Sequence, residues 1–545
     1  MIHLNFEPLF IGPGGTGVEV TAGAAGSKAA MLWRMHQLGL EVPPAFVMPT
    51  ALCAPANGGA KSALEAIDRG LRKGIAYLEE VTGRRFGDSR RPLLVSVRSG
   101  AERSMPGMLE TVLDVGLNDE TVRGLIRFSG NPRLAWDSYR RFIQSYSEVV
   151  GQIVLPELDE RLLEMMRAED AATEAELDCE ALERLTKDFQ EMAARGSGHA
   201  IPHDPVAQLA AATRAVYLSW ESAKARDYRR LNALEGLKGT AVTVQAMVFG
   251  NAGGQSGAGV AFSRNPSTGA KELYVDFLFD AQGEDVVSGR RTPGDAELLK
   301  TRLPAIATEL AAATSKLEEG LEDIQDIEFT VEEGKLYFLQ TRPAKRSPLA
   351  AIRIAVDLVR EGLIDPKTAL ARIAGIDLSR IGKLRFNGDA QVIATAISAS
   401  PGVASGRVVF QSERAKEFAK RGDPIILVRP DVSTDDIAGF AVAAGILTAT
   451  GGRTAHAAVV ARQMGKICLV GCKTLCVDAD LRHASLGDKK IVEGDWISLE
   501  GTTGEIFLGQ RDIIAERPEA ELAEIEGWSS GRLEEEKPSR PAPVS

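Results

Sequence analysis

The chain has 545 residues, a formal net charge of −11 at pH 7, 44% hydrophobic residues and 26% charged ones. That length holds roughly three or four domains of ordinary size, and the composition is that of a globular protein able to bury sizeable cores. The acidic balance argues against a nucleic-acid or membrane-surface binder, whereas nucleotides, bound by local clusters of residues, stay open.

Taken in chain order, the opening MIHLNFEPLF has no basic region followed by an apolar core, so it does not read as a secretory signal. A helix over SKAAMLWRMHQLGL and a strand over PLLVSVRS follow, and stretches such as RLAWDSYRRFIQSYSEVV give a helical region over residues 112–197. Residues 240–342 turn rich in glycine and β-branched residues, and a helical connector occupies 346–386. A compact β/α segment spans 387–510, and the last residues, 511–545, end in a charged, Pro-rich tail predicted to be disordered. No run approaches the roughly 18–20 apolar residues that span a bilayer. Five cysteines, an odd number, point to reduced thiols in the cytoplasm. Cys468, Cys472 and Cys476 recur every four residues, but Cys468 lies in the apolar run ICLVGC and no matching His/Cys pair follows. They are expected to be buried small hydrophobes rather than zinc ligands.

Three groups of residues could carry chemistry. In DIEFTVEEGKLYFLQTR, strand alternation puts Asp326 and Glu328 on one face, and Gln340 and Arg342 are likewise two apart on the next strand. Two carboxylates suit Mg²⁺ held between protein and phosphates, and an arginine suits the phosphate itself. A plain amphipathic hairpin with a solvated polar face fits the same pattern. For the two pairs to share a face the loop needs an odd residue count, so a three-residue turn with Gly334 at positive φ is expected. In the second group, Arg98 ends a strand before a Ser/Gly/Pro loop, and Lys28 opens a helix just after small residues. Both are phosphate-friendly places, and both equally suit ordinary turns and solvated charges. The third is His456 in ILTATGGRTAHAAVVARQMGKICLVGC, at the start of an alanine-rich helix. Unpaired N–H groups and the positive dipole end suit an anion there and disfavour imidazolium, which keeps the ring nucleophilic. A capping or core histidine is the bland alternative.

Taken together, VSVRSG, SMPGMLETVLDVGLND, NPRLAWDSYRRFIQ, TAVTVQAMVFGN, GVAFSRNPSTG, AQGEDVVSGRRTP, DIEFTVEEGKLYFLQTR and GGRTAHAAVVARQMGK resemble, in content and order, the pyruvate phosphate dikinase family. The likeness runs from about residue 20 to about residue 510. It implies a multidomain α+β and α/β protein: an ATP-grasp nucleotide-binding domain with a helical insertion, over residues 1–345, then a swivelling phosphohistidine domain. It also implies that ATP and inorganic phosphate give AMP, pyrophosphate and a phosphohistidine carrying the β-phosphoryl group. By motif, His456 would be the carrier. Lys28 and Arg98 would hold the triphosphate, and Asp326 and Glu328 the Mg²⁺. Gln340 and Arg342 would complete the nucleotide site, with Glu284 against the nucleotide. The family continues into a β/α barrel for phosphoenolpyruvate and pyruvate, which the final residues are too few to form. The acceptor half is therefore expected from a separate polypeptide, and dimerisation stays open. Arg453 and Ala455 stand where the family commonly has methionine and serine, while Thr454 keeps a position that some members regulate. The same two modules in antibiotic phosphotransferases, or in a nucleotide-binding regulator without turnover, are the competing readings.

Overall fold

A computed structural model describes residues 6–105, 108–153, 156–197, 200–288, 293–378, 381, 383–388, 390–431, 437–452, 456–478 and 482–530. The chain forms two compact units, one from residues 1–257 and 329–341, the other from 258–328 and 342–545.

The first unit is built on an antiparallel sheet of β1 (Leu9–Ile11), β2 (Ala45–Met48), β3 (Val95–Ala101), β4 (Thr111–Val115) and β5 (Thr240–Ala246), in the order β1-β2-β5-β3-β4. Every residue of β2 and β5 is buried; β2 reads as the continuous apolar run AFVM, whereas β5 buries Thr240, Thr243 and Gln245 as well. Helix α1 (Ala22–Gln37) packs on the sheet, and α2 (Lys61–Thr82) brings Gly70 and Gly74 against Met48 and Phe46. A Cβ at Gly74 would lie 2.4 Å from the Phe46 ring, so only glycine admits that contact. The expected helical stretch from residue 112 begins later, at Thr121, because TVLDV alternates and pairs as β4. It also runs further, to Leu231. Its central helix, α3 (Pro132–Val149), starts where Asn131 accepts from the Leu134 amide and proline takes the first turn.

The second unit begins with β6 (Gly257–Phe262), β7 (Tyr274–Phe279), β8 (Gln325–Glu332) and β9 (Lys335–Pro343), ordered β9-β8-β6-β7; the hairpin β8–β9 has its base here and its tip in the first unit. The turn has two residues, not three: Glu333 and Gly334 both adopt positive φ, 49° and 79°. A regular two-residue turn would set Asp326 and Arg342 on opposite faces. At the base, however, the Ala344 amide donates to Ile324 O at 2.9 Å. That pair sums to an even number, whereas Glu332 and Lys335 at the turn sum to an odd one, so the register slips by one residue along the hairpin. The slip brings Arg342 opposite Asp326.

Helices α4 (Gly283–Ser288) and α5 (Pro304–Leu321) lie between β7 and β8, and α6 (Pro348–Arg360) and α7 (Pro366–Ile373) follow β9. An eight-stranded sheet then forms from β10 (Ala394–Thr395), β11 (Ile397–Ser400), β12 (Val403–Val409), β13 (Ile425–Arg429), β14 (Gly445–Thr448), β15 (Ile467–Val470), β16 (Trp496–Glu500) and β17 (Glu505–Leu508). Its order is β10-β17-β16-β12-β13-β14-β15-β11, with β12 to β15 parallel. Helix α8 (His456–Gln463) lies on one face, burying Ala458 and Ala461 with Phe440 and Ile446. Within residues 511–530, Ile513–Glu516 pairs with Lys383–Phe386, and α9 (Glu519–Ser529) buries Leu522 and Ile525 with α6 and α7. Residues 531–545 lie outside the described residues. Among the described residues no helix is long and apolar enough to cross a membrane.

Candidate functional site

In the first unit, α1 is broken at Gly26 (φ 79°, ψ 159°), so its regular part starts at Ser27 and Lys28. A Cβ at Gly26 would sit 2.0 Å from the Gly100 carbonyl oxygen on β3, and Ser27 Oγ donates to Ala101 O at 3.1 Å. This glycine-to-glycine contact sets the helix start of Lys28 against the end of the strand that carries Arg98. Arg98 Nη1 donates to Gln245 Oε1 (3.4 Å) on β5, and Gln245 is held in turn by Pro43 O at 3.2 Å. Both Lys28 and Arg98 are half-buried. Gln340, on β9, is buried in this unit.

In the second unit, Asp326 is only 5% exposed, and its Oδ2 accepts from Arg342 Nε at 2.9 Å. Its Oδ1 is buried without a hydrogen-bond partner among the described residues. Burial pushes this carboxyl up from its ordinary value, the Glu328 charge adds to the push, and Arg342 opposes it. For Arg342, burial works against the charge, and Asp326 and Glu328 outweigh it to raise the pKa. Such an orphaned oxygen asks for a cation. Asp326 with the half-buried Glu328 fits Mg²⁺, which takes one or two carboxylates and completes its shell with water and substrate phosphate. No group of three His, Cys, Asp or Glu side chains able to hold a metal occurs among the described residues, so an all-protein cage is not what these residues build. Glu284 is exposed in the first turn of α4.

His456 begins α8, which places the ring-bearing position at the helix N-terminus, as its sequence implied. Arg453, Thr454 and Ala455 lie outside the described residues. The loop just before them is placed: Gly452 is buried against Pro293 and the Asp276 carboxylate of β7. The loop at Gly452 therefore touches the sheet that also carries Asp326 and Glu328. Sequence reasoning missed Asp276 and Gly452, and it missed Arg462 of α8, which is 1% exposed and close enough to act electrostatically on Asp326. A buried arginine inside the apolar AAVVAR was the one available signal.

A buried carboxylate–arginine pair on one sheet, and a helix that begins at a histidine in the same unit, are the features to set beside known proteins. The profile described as "Pyruvate phosphate dikinase, AMP/ATP-binding domain" matches residues 63–309 and 303–361, and that of the "PEP-utilising enzyme, mobile domain" matches 422–504. The chain belongs to the pyruvate phosphate dikinase family. It is 44% identical over 508 residues to the chloroplastic pyruvate, phosphate dikinase of Flaveria pringlei, covering 92% of this chain and 53% of that protein. Over 490 residues it is 44% identical to the pyruvate, phosphate dikinase of Clostridium symbiosum, covering 89% and 56%, and over 507 residues 42% identical to a chloroplastic one of Zea mays, covering 92% and 53%. The chain thus spans about half the length of the curated relatives it matches.

Proposed function

We propose that this chain carries out the histidine-phosphorylating half of a dikinase reaction: ATP and inorganic phosphate give phospho-His456, AMP and pyrophosphate. The observation that supports this reading is the seating of the loop before α8 against β7, an edge strand of the sheet whose other strands carry the Asp326–Arg342 pair. An imidazole nitrogen of His456 bonds to the β-phosphorus as the bond to the α–β bridging oxygen breaks. That oxygen leaves with AMP; an oxygen of inorganic phosphate then bonds to the γ-phosphorus as its bond to the β–γ bridging oxygen breaks, so pyrophosphate leaves and the bridging oxygen stays with the β-phosphoryl on His456. Lys28 and Arg98 neutralise the triphosphate, and Arg342 stabilises charge on the transferred group. Gln340 and Glu284 orient the nucleotide. Asp326 and Glu328 would hold Mg²⁺, which supplies charge neutralisation across the phosphates.

In this reading residues 1–345 form an ATP-grasp domain, 346–386 a linker and 387–510 the carrier domain. The phosphoryl group passes to an acceptor site outside the described residues, of the kind that binds phosphoenolpyruvate and pyruvate. The experiment is incubation with β-labelled ATP, Mg²⁺ and phosphate. The expected result is acid-labile label on the protein, lost in His456→Ala while nucleotide binding persists. Wild-type labelling of the His456→Ala chain would remove the carrier assignment.

A further inference from the structure

We propose that Arg462 is a positioning residue for histidine phosphorylation, fixing the far end of α8 against the sheet of β6 and β8 so that His456 meets the nucleotide in one register. The inference rests on the phosphohistidine reading above and deepens it. Arg462 is among the largest fully buried side chains of the protein. A buried charge costs several kcal/mol unless it is well satisfied, so an arginine that merely ended a helix would be expected at the surface. Here its Nη1 donates to Ala399 O on β11 at 2.7 Å. From the other side, Ser267 Oγ, in the loop after β6, donates to that same carbonyl at 3.2 Å. The guanidinium carbon lies 5.7 Å from the ring centre of Phe262, the last residue of β6. Tyr274 Oη, at the start of β7, donates to Ser398 O, one residue before Ala399, at 3.1 Å. One carbonyl thus ties carrier helix and nucleotide-side loop together, and the arginine fills the seam between them.

The geometry of α8 turns this into a control of position. Six residues separate His456 from Arg462, about 9 Å of helix rise. Gly452 anchors the approach to the helix start on Pro293 and Asp276, and Arg462 anchors its end on Ala399 and Phe262. Two anchors define the axis, where one would leave the histidine free to pivot. The positive charge of Arg462 acts on Asp326, so the second anchor lies within electrostatic reach of the proposed metal carboxylate.

The test uses the full chain and two phosphoryl donors. Phosphoramidate, which modifies an accessible imidazole without enzymatic help, reports the carrier histidine alone; β-labelled ATP with Mg²⁺ and phosphate reports the docked reaction. Arg462→Gln is expected to slow single-turnover labelling from saturating ATP about 10–100-fold, with the KM for ATP and the phosphoramidate rate unchanged. Arg462→Lys recovers part of the loss. Ser267→Ala, a mild change that guards against misfolding of the arginine variant, shows a smaller loss in the same arm only. Full-rate ATP labelling of Arg462→Gln overturns the proposal, as does an equal loss with both donors, which would mark Arg462 as support for the carrier fold alone. If the unsubstituted chain takes label from phosphoramidate but never from ATP, it is the functional reading that fails.

Discussion

Gly452→Ala separates docking from folding. The added Cβ would lie 2.3 Å and 2.5 Å from Cγ and Cδ of Pro293, and 3.1 Å from Asp276 Oδ2. Carbon atoms in contact prefer about 3.5–4.0 Å, and a proline ring has no rotamer into which to retreat. Gly452 is not among the positive-φ glycines, so alanine costs nothing in backbone conformation once the loop is away from β7. Overpacking of this kind costs about 1–3 kcal/mol, which lowers the docked population roughly 5- to 150-fold. The assay is single-turnover labelling by β-labelled ATP beside labelling by phosphoramidate, with thermal unfolding as a control. ATP labelling should fall within that range, phosphoramidate labelling should hold, and the unfolding temperature should stay within about a degree or two of the parent. Unchanged ATP labelling would sink this idea, since the close approach of the loop to Pro293 would then be irrelevant to transfer.

Three further predictions concern separate parts of the molecule. Gly26→Ala forces a side chain to 2.0 Å from Gly100 O at a φ of 79°, so it should destabilise the first unit by about 2 kcal/mol or more and weaken nucleotide binding; urea unfolding and a fluorescent nucleotide titration measure both. Asp326→Asn keeps the shape of the carboxylate and removes its charge, so Mg²⁺-dependent labelling from ATP should drop at least about a hundredfold while phosphoramidate labelling persists; full activity would exclude Asp326 as a metal ligand. Burial pushes the Cys53 thiol up to about 11 and the Cys468 thiol up to about 12. At pH 8 both stay protonated, so an alkylating reagent read by mass spectrometry should modify exposed Cys476 and spare these two until the protein unfolds.

The local geometry of the candidate site was legible where strand alternation fixes it. Asp326 and Glu328 share a face whatever surrounds them, and a helix start at His456 follows from the Gly-Gly break and the alanine run. The hairpin shows the limit of that reasoning. Glu333 takes a positive φ that its residue type does not announce, and the one-residue slip that brings Arg342 to Asp326 is set by pairing at the base, seen only in the bond from Ala344 to Ile324. Similarly, Lys28 and Arg98 are neighbours through Gly26 and Gly100, 74 residues apart, and no periodicity encodes such a contact. The strand Thr111–Val115 was hidden by the strongly helical sequence after it, and the helix Glu519–Ser529 is held by the packing of Leu522 and Ile525 against helices much earlier in the chain. Arg462 escaped notice for a related reason: a charged residue in a short helix is normally solvated, and only tertiary contact shows this one buried.

The proposed chemistry turns on a phosphoryl group passing from the middle of ATP to His456. Two parallel incubations with Mg²⁺ and phosphate, one with label in the β-phosphate and one with label in the γ-phosphate, distinguish this route from ordinary kinase chemistry. Acid-labile label at His456, located by peptide mapping, is expected from the β-labelled nucleotide only, with the γ-label recovered in pyrophosphate. Label at His456 from the γ-position, or ADP in place of AMP as the nucleotide product, would contradict it.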